Sequence, residues 1–264
     1  MSQQKKSPTW QPRGMTAFIV VWVGQLASLL GTGVSNFALT VWAFETTGSA
    51  TALALVAFFY MVPLLVLSPF AGTLVDRNSR KLMMAVSDIG AGIGTIVILI
   101  LYSMGQLEVW HLYISATIAG AAQTFQWPAY SAAISTMIPK KHYARAAGLN
   151  SLAESGSHIF APILGAALYG AVGLGAVLWL DIITFVFAVV ALFVVFIPNP
   201  ENTAEGMESK GSFLQESVYG FRYIFKRPSL LGLQIVFMVG NFFATMAFTL
   251  MPAMILSRTA NNEY

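Results

Sequence analysis

Ionisable residues inside long apolar runs are the positions at which this sequence could do chemistry. Three acids lie in such runs, namely Asp88, Glu154 and Asp181. A charge at the centre of a bilayer costs about 2.5–3.5 kcal/mol on insertion scales, so a residue of this kind faces a cavity or a partner. All three acids are therefore candidates for binding and releasing protons.

Glu154 is the deepest of the three acids and belongs to a polar stripe. At a rise of about 1.5 Å per residue, it lies roughly 13 Å past Arg145. Asn150, Glu154 and His158 are spaced i, i+4 and i+8, so they share one face of a helix. A carboxyl and an imidazole four residues apart can share a proton, which makes His158 a further coupling candidate. A polar seam between helices is the alternative interpretation of this stripe.

The other two acids have structural roles as alternatives to proton coupling. Asp88 lies only about 10 Å beyond Lys81 by the same rise, so we expect it to partner the basic turn that precedes its apolar run. Asp181 lies nearer the outer end of its apolar run. The alternative to proton coupling for Asp181 is a structural hydrogen bond to a neighbouring helix.

Composition places these residues in a membrane protein. Of the 264 residues, 56% are hydrophobic and 9% are charged, whereas a soluble domain has about 25% charged residues. The sequence has no cysteine and three histidines. That composition argues against a disulfide framework, a thiol nucleophile and a transition-metal site. We therefore expect neither a metal nor a cofactor.

Seven apolar runs are long enough to span a bilayer, which requires about 20 residues of helix. Because uniformly apolar runs carry no clear period, their length is what indicates helix. The sequence predicts an all-α membrane protein with helices at residues 16–42, 52–75, 82–102, 109–138, 146–170, 173–197 and 230–256.

Basic residues lie almost entirely on one side of this predicted topology. Thirteen of the fourteen Lys and Arg residues precede the first helix or lie in alternate connections, and only Arg258 lies on the other side. The positive-inside rule makes the populated side cytoplasmic. The predicted order is a cytoplasmic tail at 1–14, a six-helix bundle at 15–197, a cytoplasmic linker with an amphipathic helix at 198–228, a seventh helix at 229–257 and a tail at 258–264.

A short charged turn joins the second and third predicted helices. Its spacing, Gly-x-x-x-Asp-Arg-x-x-Arg-Lys, is formed by Gly72, Asp76, Arg77, Arg80 and Lys81. This pattern resembles the loop 2-3 motif of the major facilitator superfamily, although Ser79 stands where the family usually has glycine. The resemblance implies that Asp76 and Arg80 hold one state of a transport cycle. A turn that only anchors the helix pair at anionic headgroups is the alternative.

The fifth predicted helix contains the segment Ala161-Pro162-Ile-Leu-Gly165-Ala166. This segment makes the resemblance to the superfamily more specific. The chain is similar to the superfamily branch that contains macrolide-efflux proteins and the enterobactin exporter. Drug antiporters usually have glycine where this chain has Ala161 and Ala166. Many proton antiporters also carry an Arg in the fourth helix, and none occurs there in this sequence.

The resemblance implies the N-terminal six-helix half of a major-facilitator fold plus a seventh transmembrane helix. The implied function is secondary active transport, with proton-coupled efflux of hydrophobic or amphipathic compounds such as macrolide-type drugs. The proton gradient would then supply the energy, and export of a siderophore or another metabolite is the alternative. The implied candidates for the substrate cavity are Gln25, Asn36, Gln123, Phe125, Trp127 and Asn150.

The sequence ends soon after the seventh predicted helix, so we expect a transporter truncated relative to the two-half plan. The expected partners are the lipid bilayer and a small hydrophobic or amphipathic substrate, without nucleic acid. The missing C-terminal half or a second copy of the chain is expected to be required. The expected location is the bacterial inner membrane, with several crossings and a cytoplasmic N-terminus.

Two other classes of protein fit these features less well. A seven-helix receptor or photosensor usually has its N-terminus outside, and residues 230–256 contain no lysine for a retinal Schiff base. An intramembrane enzyme would need a catalytic motif, but neither Gly-x-Ser-x-Gly nor His-Glu-x-x-His occurs. We therefore expect no enzymatic activity.

The predicted orientation can be tested with single cysteines, because the sequence contains none. Ser79→Cys in the charged turn should be protected from an impermeant thiol reagent in intact cells and should react once the cells are permeabilised. The reason is that the positive-inside rule places this turn in the cytoplasm. Labelling of intact cells would mean that the orientation is inverted.

Overall fold

A computed structural model describes residues 12–198 and 222–258, with side chains described as far as residue 244. Nearly all of the predicted N-terminal tail, most of the predicted linker with its amphipathic helix, and nearly all of the final tail lie outside the described residues. The chain divides into two compact units, Met1–Ala204 and Glu205–Tyr264. The first unit contains every candidate site residue.

Helices make up most of the described part of the first unit. They are α1 (Gly14–Thr47), α2 (Ala50–Arg77), α3 (Arg80–Ser103), α4 (Val109–Met137) and α5 (Tyr143–Val194), with a short 3-10 helix at Lys140–His142. In the second unit, α6 spans Pro228–Arg258. The predicted all-α class is confirmed, since residues 12–198 and 222–258 contain no strand.

One element, α5, contains both the fifth and the sixth predicted helices. Its backbone leaves the helical region at Gly173, where φ is 77° and ψ is 174°. Glycine suits this position because a Cβ makes positive φ unfavourable. Gly173 therefore separates two helical arms, residues 143–172 and 174–194, which correspond to the two predicted helices.

Four helical spans in the described chain are long and apolar enough to cross a membrane, namely α1, α2, α3 and Lys140–Val194. The last is 55 residues long, about twice the length that one crossing requires. The 29 residues of α4 are also long enough, but polar residues such as Gln123 and Gln126 interrupt its apolar sequence.

Two apolar clusters fill the two ends of the first unit. The cluster nearest the charged turn draws on α1 to α5 and includes Phe18, Val75, Met84, Tyr130 and Leu192. The cluster at the opposite end includes Val34, Ile98, Leu112, Leu174 and Leu178. Because these clusters lie at different depths of the same helices, a middle layer separates them. That layer contains most of the buried polar side chains.

Small residues let neighbouring helices approach closely, as is common between helices in membranes. A Cβ at Gly165 in α5 would lie 2.9 Å from Cδ1 of Phe37 in α1, and a Cβ at Gly120 in α4 would collide with the carbonyl oxygen of Tyr60 in α2. Gly165, part of the predicted helix 5 motif, therefore lies in a packed interface. Pro162, the other residue of that motif, is exposed.

Candidate functional site

A cavity of about 690 Å³ lies among α1 to α5 in the first unit. Its volume is within the range of about 300–1,000 Å³ that is usual for small-molecule sites. Apolar side chains form most of the wall, and a few polar and acidic side chains interrupt it. Five of the six predicted cavity residues line it, namely Gln25, Asn36, Gln123, Trp127 and Asn150.

Phe125 is the predicted cavity residue that the structure places elsewhere. Its side chain packs against the apolar cluster nearest the charged turn, whereas Trp127 reaches the cavity. Residues two apart on a helix point in different directions. The prediction that both aromatic residues line the cavity is therefore wrong for Phe125.

Asp88 in α3 is held by amides from two other helices. Gln25 Nε2 in α1 donates to Asp88 Oδ2 over 3.0 Å, and Gln126 Nε2 in α4 donates to Asp88 Oδ1 over 2.9 Å. Gln126 Nε2 also donates to Gln25 Oε1 over 2.9 Å. The predicted partnership of Asp88 with the basic turn is therefore wrong, because both carboxylate oxygens accept hydrogen bonds from glutamines.

Gln126 is the member of this group that sequence reasoning missed. It lies three residues after Gln123, and residues three apart share a helix face, so its spacing from a predicted cavity residue was the available signal. Its Oε1 is buried without a hydrogen-bond partner among the described residues, as are Trp22 Nε1 and Ser87 Oγ. All three residues line the cavity, so the polar group around Asp88 has unused hydrogen-bonding capacity.

Asp181 in the second arm of α5 is held by hydroxyl groups. Ser35 and Thr95 donate to its Oδ2 over 2.8 Å and 2.9 Å, and Thr32 donates to its Oδ1 over 3.0 Å. The side chain is buried and lines the cavity. Asp181 therefore forms the hydrogen bonds to neighbouring helices that were the alternative to proton coupling. The donors lie in α1 and α3.

Glu154 differs from the other two acids because it lines the cavity without such a network. Its side chain is exposed, and within residues 12–198 and 222–244 no hydrogen bond or ion pair involves it. Asn150, four residues earlier, accepts a hydrogen bond from Tyr130 over 3.2 Å. His158 is exposed and is not part of the cavity wall, and among the described residues no hydrogen bond or ion pair joins the predicted Glu154–His158 pair.

The charged turn combines an ion pair with a helix cap. Arg80 Nη2 lies 3.4 Å from Asp76 Oδ1. Ser79 Oγ accepts a hydrogen bond from the backbone N–H of Leu82 over 3.2 Å, which caps the start of α3. Ser79 has an extended backbone with φ of −68°, so the turn does not require the glycine that the family usually has there.

Lys81 ties the charged turn to the end of α5. Its Nζ donates to the carbonyl oxygens of Phe193 and Val195 over 2.9 Å and 2.8 Å. A cation at a helix C-terminus stabilises carbonyls that lack intrahelical partners. Gly72, by contrast, borders open space, since a Cβ there would meet no described atom within 4 Å.

These apolar helices, with charges at one end and a polar layer inside, define a multi-pass integral membrane protein. The family model of the Major Facilitator Superfamily matches residues 21–260, and the chain belongs to this superfamily. Among its relatives is "Macrolide efflux protein A" of Streptococcus pyogenes, 28% identical over 220 residues, which cover 83% of this chain and 54% of that protein.

Two further relatives come from other bacteria. "Uncharacterized MFS-type transporter YfiS" of Bacillus subtilis is 27% identical over 222 residues, covering 83% of this chain and 52% of that protein. "Multidrug resistance protein MdtG" of Proteus mirabilis is 31% identical over 129 residues, covering 48% of this chain and 31% of that protein. The chain spans about half the length of the first curated relatives it matches.

The Asp88 network predicts that Gln126→Leu destabilises the bundle. The variant removes a hydrogen bond to a buried carboxylate, so we expect the free energy of unfolding to fall by about 1–3 kcal/mol. Denaturant unfolding of the purified protein in detergent measures this. Gln123→Leu is the matched control, because Gln123 is exposed on the same helix. Equal effects of the two substitutions would contradict the proposed importance of the network.

Proposed function

We propose that the protein functions as a secondary active transporter that exports hydrophobic or amphipathic compounds in exchange for protons. The observation that carries the proposal is a cavity of about 690 Å³, largely apolar, with Asp88, Glu154 and Asp181 in its wall. An apolar wall suits a bulky apolar solute, and acids inside a membrane bundle are typical of ion pathways. The proposal assigns no catalytic residue and no cofactor.

The substrate class rests on the cavity and on the relatives together. Exposed Trp127 and the apolar residues around it offer contact area to a bulky solute, while Gln25 and Asn36 offer hydrogen bonds. Two relatives bear names that refer to macrolide efflux and multidrug resistance. We therefore favour drug-like compounds as substrates, with a siderophore or another metabolite as the alternative.

Glu154 is the acid that we propose to carry the proton. It lines the cavity, and its exposed side chain is held by no hydrogen bond from the described residues. Asp88 and Asp181 are each already held by hydrogen bonds from other helices. A carboxyl that is accessible and weakly held can exchange a proton without first breaking a network. We propose that His158 assists Glu154 in proton transfer. This part of the proposal is supported only by the position of His158, one turn along the same helix.

We propose that the protein lies in a bacterial inner membrane with its N-terminus in the cytoplasm. Arg13 at the start of α1, Arg80 at the start of α3 and Lys140 after α4 all lie at the same end of the first unit, as expected for helices that alternate in direction. Positive residues are retained on the cytoplasmic side, and the curated relatives are bacterial. In this orientation the predicted linker is cytoplasmic.

We propose further that transport requires a second helical bundle. Superfamily transporters place the substrate between two halves that rock against each other, and this chain provides one six-helix unit. The other bundle would be the corresponding half of a longer protein or a second copy of this chain. In this scheme the Asp76–Arg80 pair, with Asp76 exposed at 76%, faces the second bundle and stabilises one state of the cycle.

The proposed function predicts that Glu154→Gln abolishes uphill efflux. The amide keeps the shape of the side chain but cannot titrate, so the variant should lose export against a gradient while still binding substrate. The measurement is accumulation of a fluorescent dye or a macrolide in cells that express the protein, with and without a proton uncoupler.

Wild-type protein should lower accumulation only while the proton gradient is present. Glu45→Gln serves as the matched control, since Glu45 is an exposed acid that does not line the cavity, and it should leave efflux intact. Uncoupler-sensitive efflux that persists in Glu154→Gln would assign coupling to another acid. Accumulation that is unchanged by the wild-type protein would remove the proposed export function.

A further inference from the structure

Three buried polar atoms of cavity-lining residues have no hydrogen-bond partner among the described residues. They are Trp22 Nε1, Ser87 Oγ and Gln126 Oε1. All three residues line the cavity, and the side chain of Ser87 is exposed at only 4%. A buried polar group without a partner is costly, and native structures rarely contain one without a reason. Three such atoms in the wall of one cavity point to an occupant that pairs with them.

These three residues lie at one level of the cavity. The amide of Gln126 bonds to both Gln25 and Asp88, so side chains from α1, α3 and α4 meet there. Ser87 precedes Asp88 in α3. Trp22 lies three residues before Gln25 on the same face of α1, which is about 4.5 Å along the helix axis. Each unpartnered atom therefore belongs to a residue within one helical turn of side chains that touch one another.

The three atoms differ in what they can bond. The indole N–H of Trp22 only donates, the amide oxygen of Gln126 only accepts, and the hydroxyl of Ser87 does either. The orientation of the Gln126 amide is fixed, because its Nε2 faces two acceptors, Gln25 Oε1 and Asp88 Oδ1. An occupant that pairs with all three atoms must therefore both accept and donate hydrogen bonds.

Charge and bonding capacity exclude several chemical groups from this position. An ammonium group donates but does not accept, so it would leave the N–H of Trp22 unpaired, and an ether would leave Gln126 Oε1 unpaired. An anion would share the cavity with three acids, and no Lys, Arg or His among the described residues lines that cavity. A hydroxyl or a carboxamide is neutral and both accepts and donates.

We propose that Trp22, Ser87 and Gln126 form a subsite that recognises a neutral hydroxyl or carboxamide group on an otherwise apolar solute. The three atoms are buried, so the solute reaches them as these side chains rotate at the cavity wall. A solute that displaces water from such a place loses affinity unless it reproduces the hydrogen bonds of that water. This inference rests on the proposed function, because it takes the cavity to be the place where the exported solute binds.

The test compares three anthracene derivatives that share one ring system. Hydroxymethylanthracene accepts and donates, methoxymethylanthracene only accepts, and aminomethylanthracene, protonated at neutral pH, only donates. Binding to the purified full chain in lipid nanodiscs is followed as saturable energy transfer from tryptophan to anthracene, with empty nanodiscs as background. The hydroxymethyl compound should half-saturate at a concentration about tenfold lower than the other two, since each of those leaves a buried group unpaired.

The outcomes separate the subsite from the proposed function. Equal half-saturation by the three compounds would overturn the subsite and leave the cavity as a binding site. Tightest binding by the aminomethyl compound would assign recognition to the acids and would also overturn the subsite. The absence of saturable transfer with all three compounds would overturn both the subsite and the proposed function.

Two substitutions assign the preference to particular atoms. Trp22→Phe removes the N–H, so it should weaken the binding of the hydroxymethyl and methoxymethyl compounds about tenfold and leave the aminomethyl compound unchanged. A merely structural role of Trp22 would weaken all three alike. Ser87→Ala should weaken all three, because a hydroxyl bonds to donors and to acceptors. The remaining tryptophans still act as energy donors in Trp22→Phe, since the chain contains six.

Two control variants remove similar groups elsewhere in the cavity wall. Trp127→Phe removes the indole N–H of an exposed tryptophan, and Thr40→Val removes a hydroxyl that already bonds to the carbonyl oxygen of Asn36 over 2.8 Å. Both should keep the preference for the hydroxymethyl over the aminomethyl compound. A preference that persists in Trp22→Phe, or that is lost to the same extent in Trp127→Phe, would contradict the subsite.

Discussion

The first unit depends on how carboxylates are accommodated inside an apolar bundle. An ionised acid removed from water must be matched by hydrogen-bond donors or by a cation. Asp88 meets this requirement through glutamines from α1 and α4, and Asp181 meets it through hydroxyls from α1 and α3. Because every donor comes from another helix, these bonds fix which helices are neighbours and at what depth. Dispersion contacts between side chains add packing energy to these bonds. They act where small residues let the helices approach closely, both between the two polar groups and in the rest of the bundle.

This arrangement gives the acids of the cavity different chemical roles. Asp88 and Asp181 are buried and tied to other helices, whereas Glu154 lies on the same cavity wall without a hydrogen bond from the described residues. The tied acids hold the bundle together and shape the cavity. In the function that we propose, the accessible acid Glu154 is the one that exchanges a proton while the bundle stays assembled. The proposed function assigns these two tasks, a fixed polar frame and a proton-exchanging group, to different acids of the same cavity.

The sequence was sufficient to predict the all-α class, the approximate position of each described helix and, through the resemblance, five residues of the cavity wall. Apolar runs of membrane length and charged turns carry that information directly. It did not predict the partners of Asp88 or the importance of Gln126. In nearly uniform apolar runs, periodicity does not show which face points inward. The expectation that Phe125 lines the cavity together with Trp127 rests on the family resemblance, which indicates the helix but not the direction of each side chain, and Phe125 packs in an apolar cluster. The loop 2-3 motif gave the turn and its charges, but not the contacts of Lys81 with the end of α5.

The most direct measurement of the central claim is proton movement coupled to substrate movement. The protein, in liposomes that contain a pH-sensitive dye, would be exposed to a macrolide added on one side. Proton exchange through the cavity predicts a change of internal pH that requires both protein and substrate and that follows the substrate's movement. Substrate movement above the leakage of empty liposomes, without any change of internal pH, would contradict proton coupling.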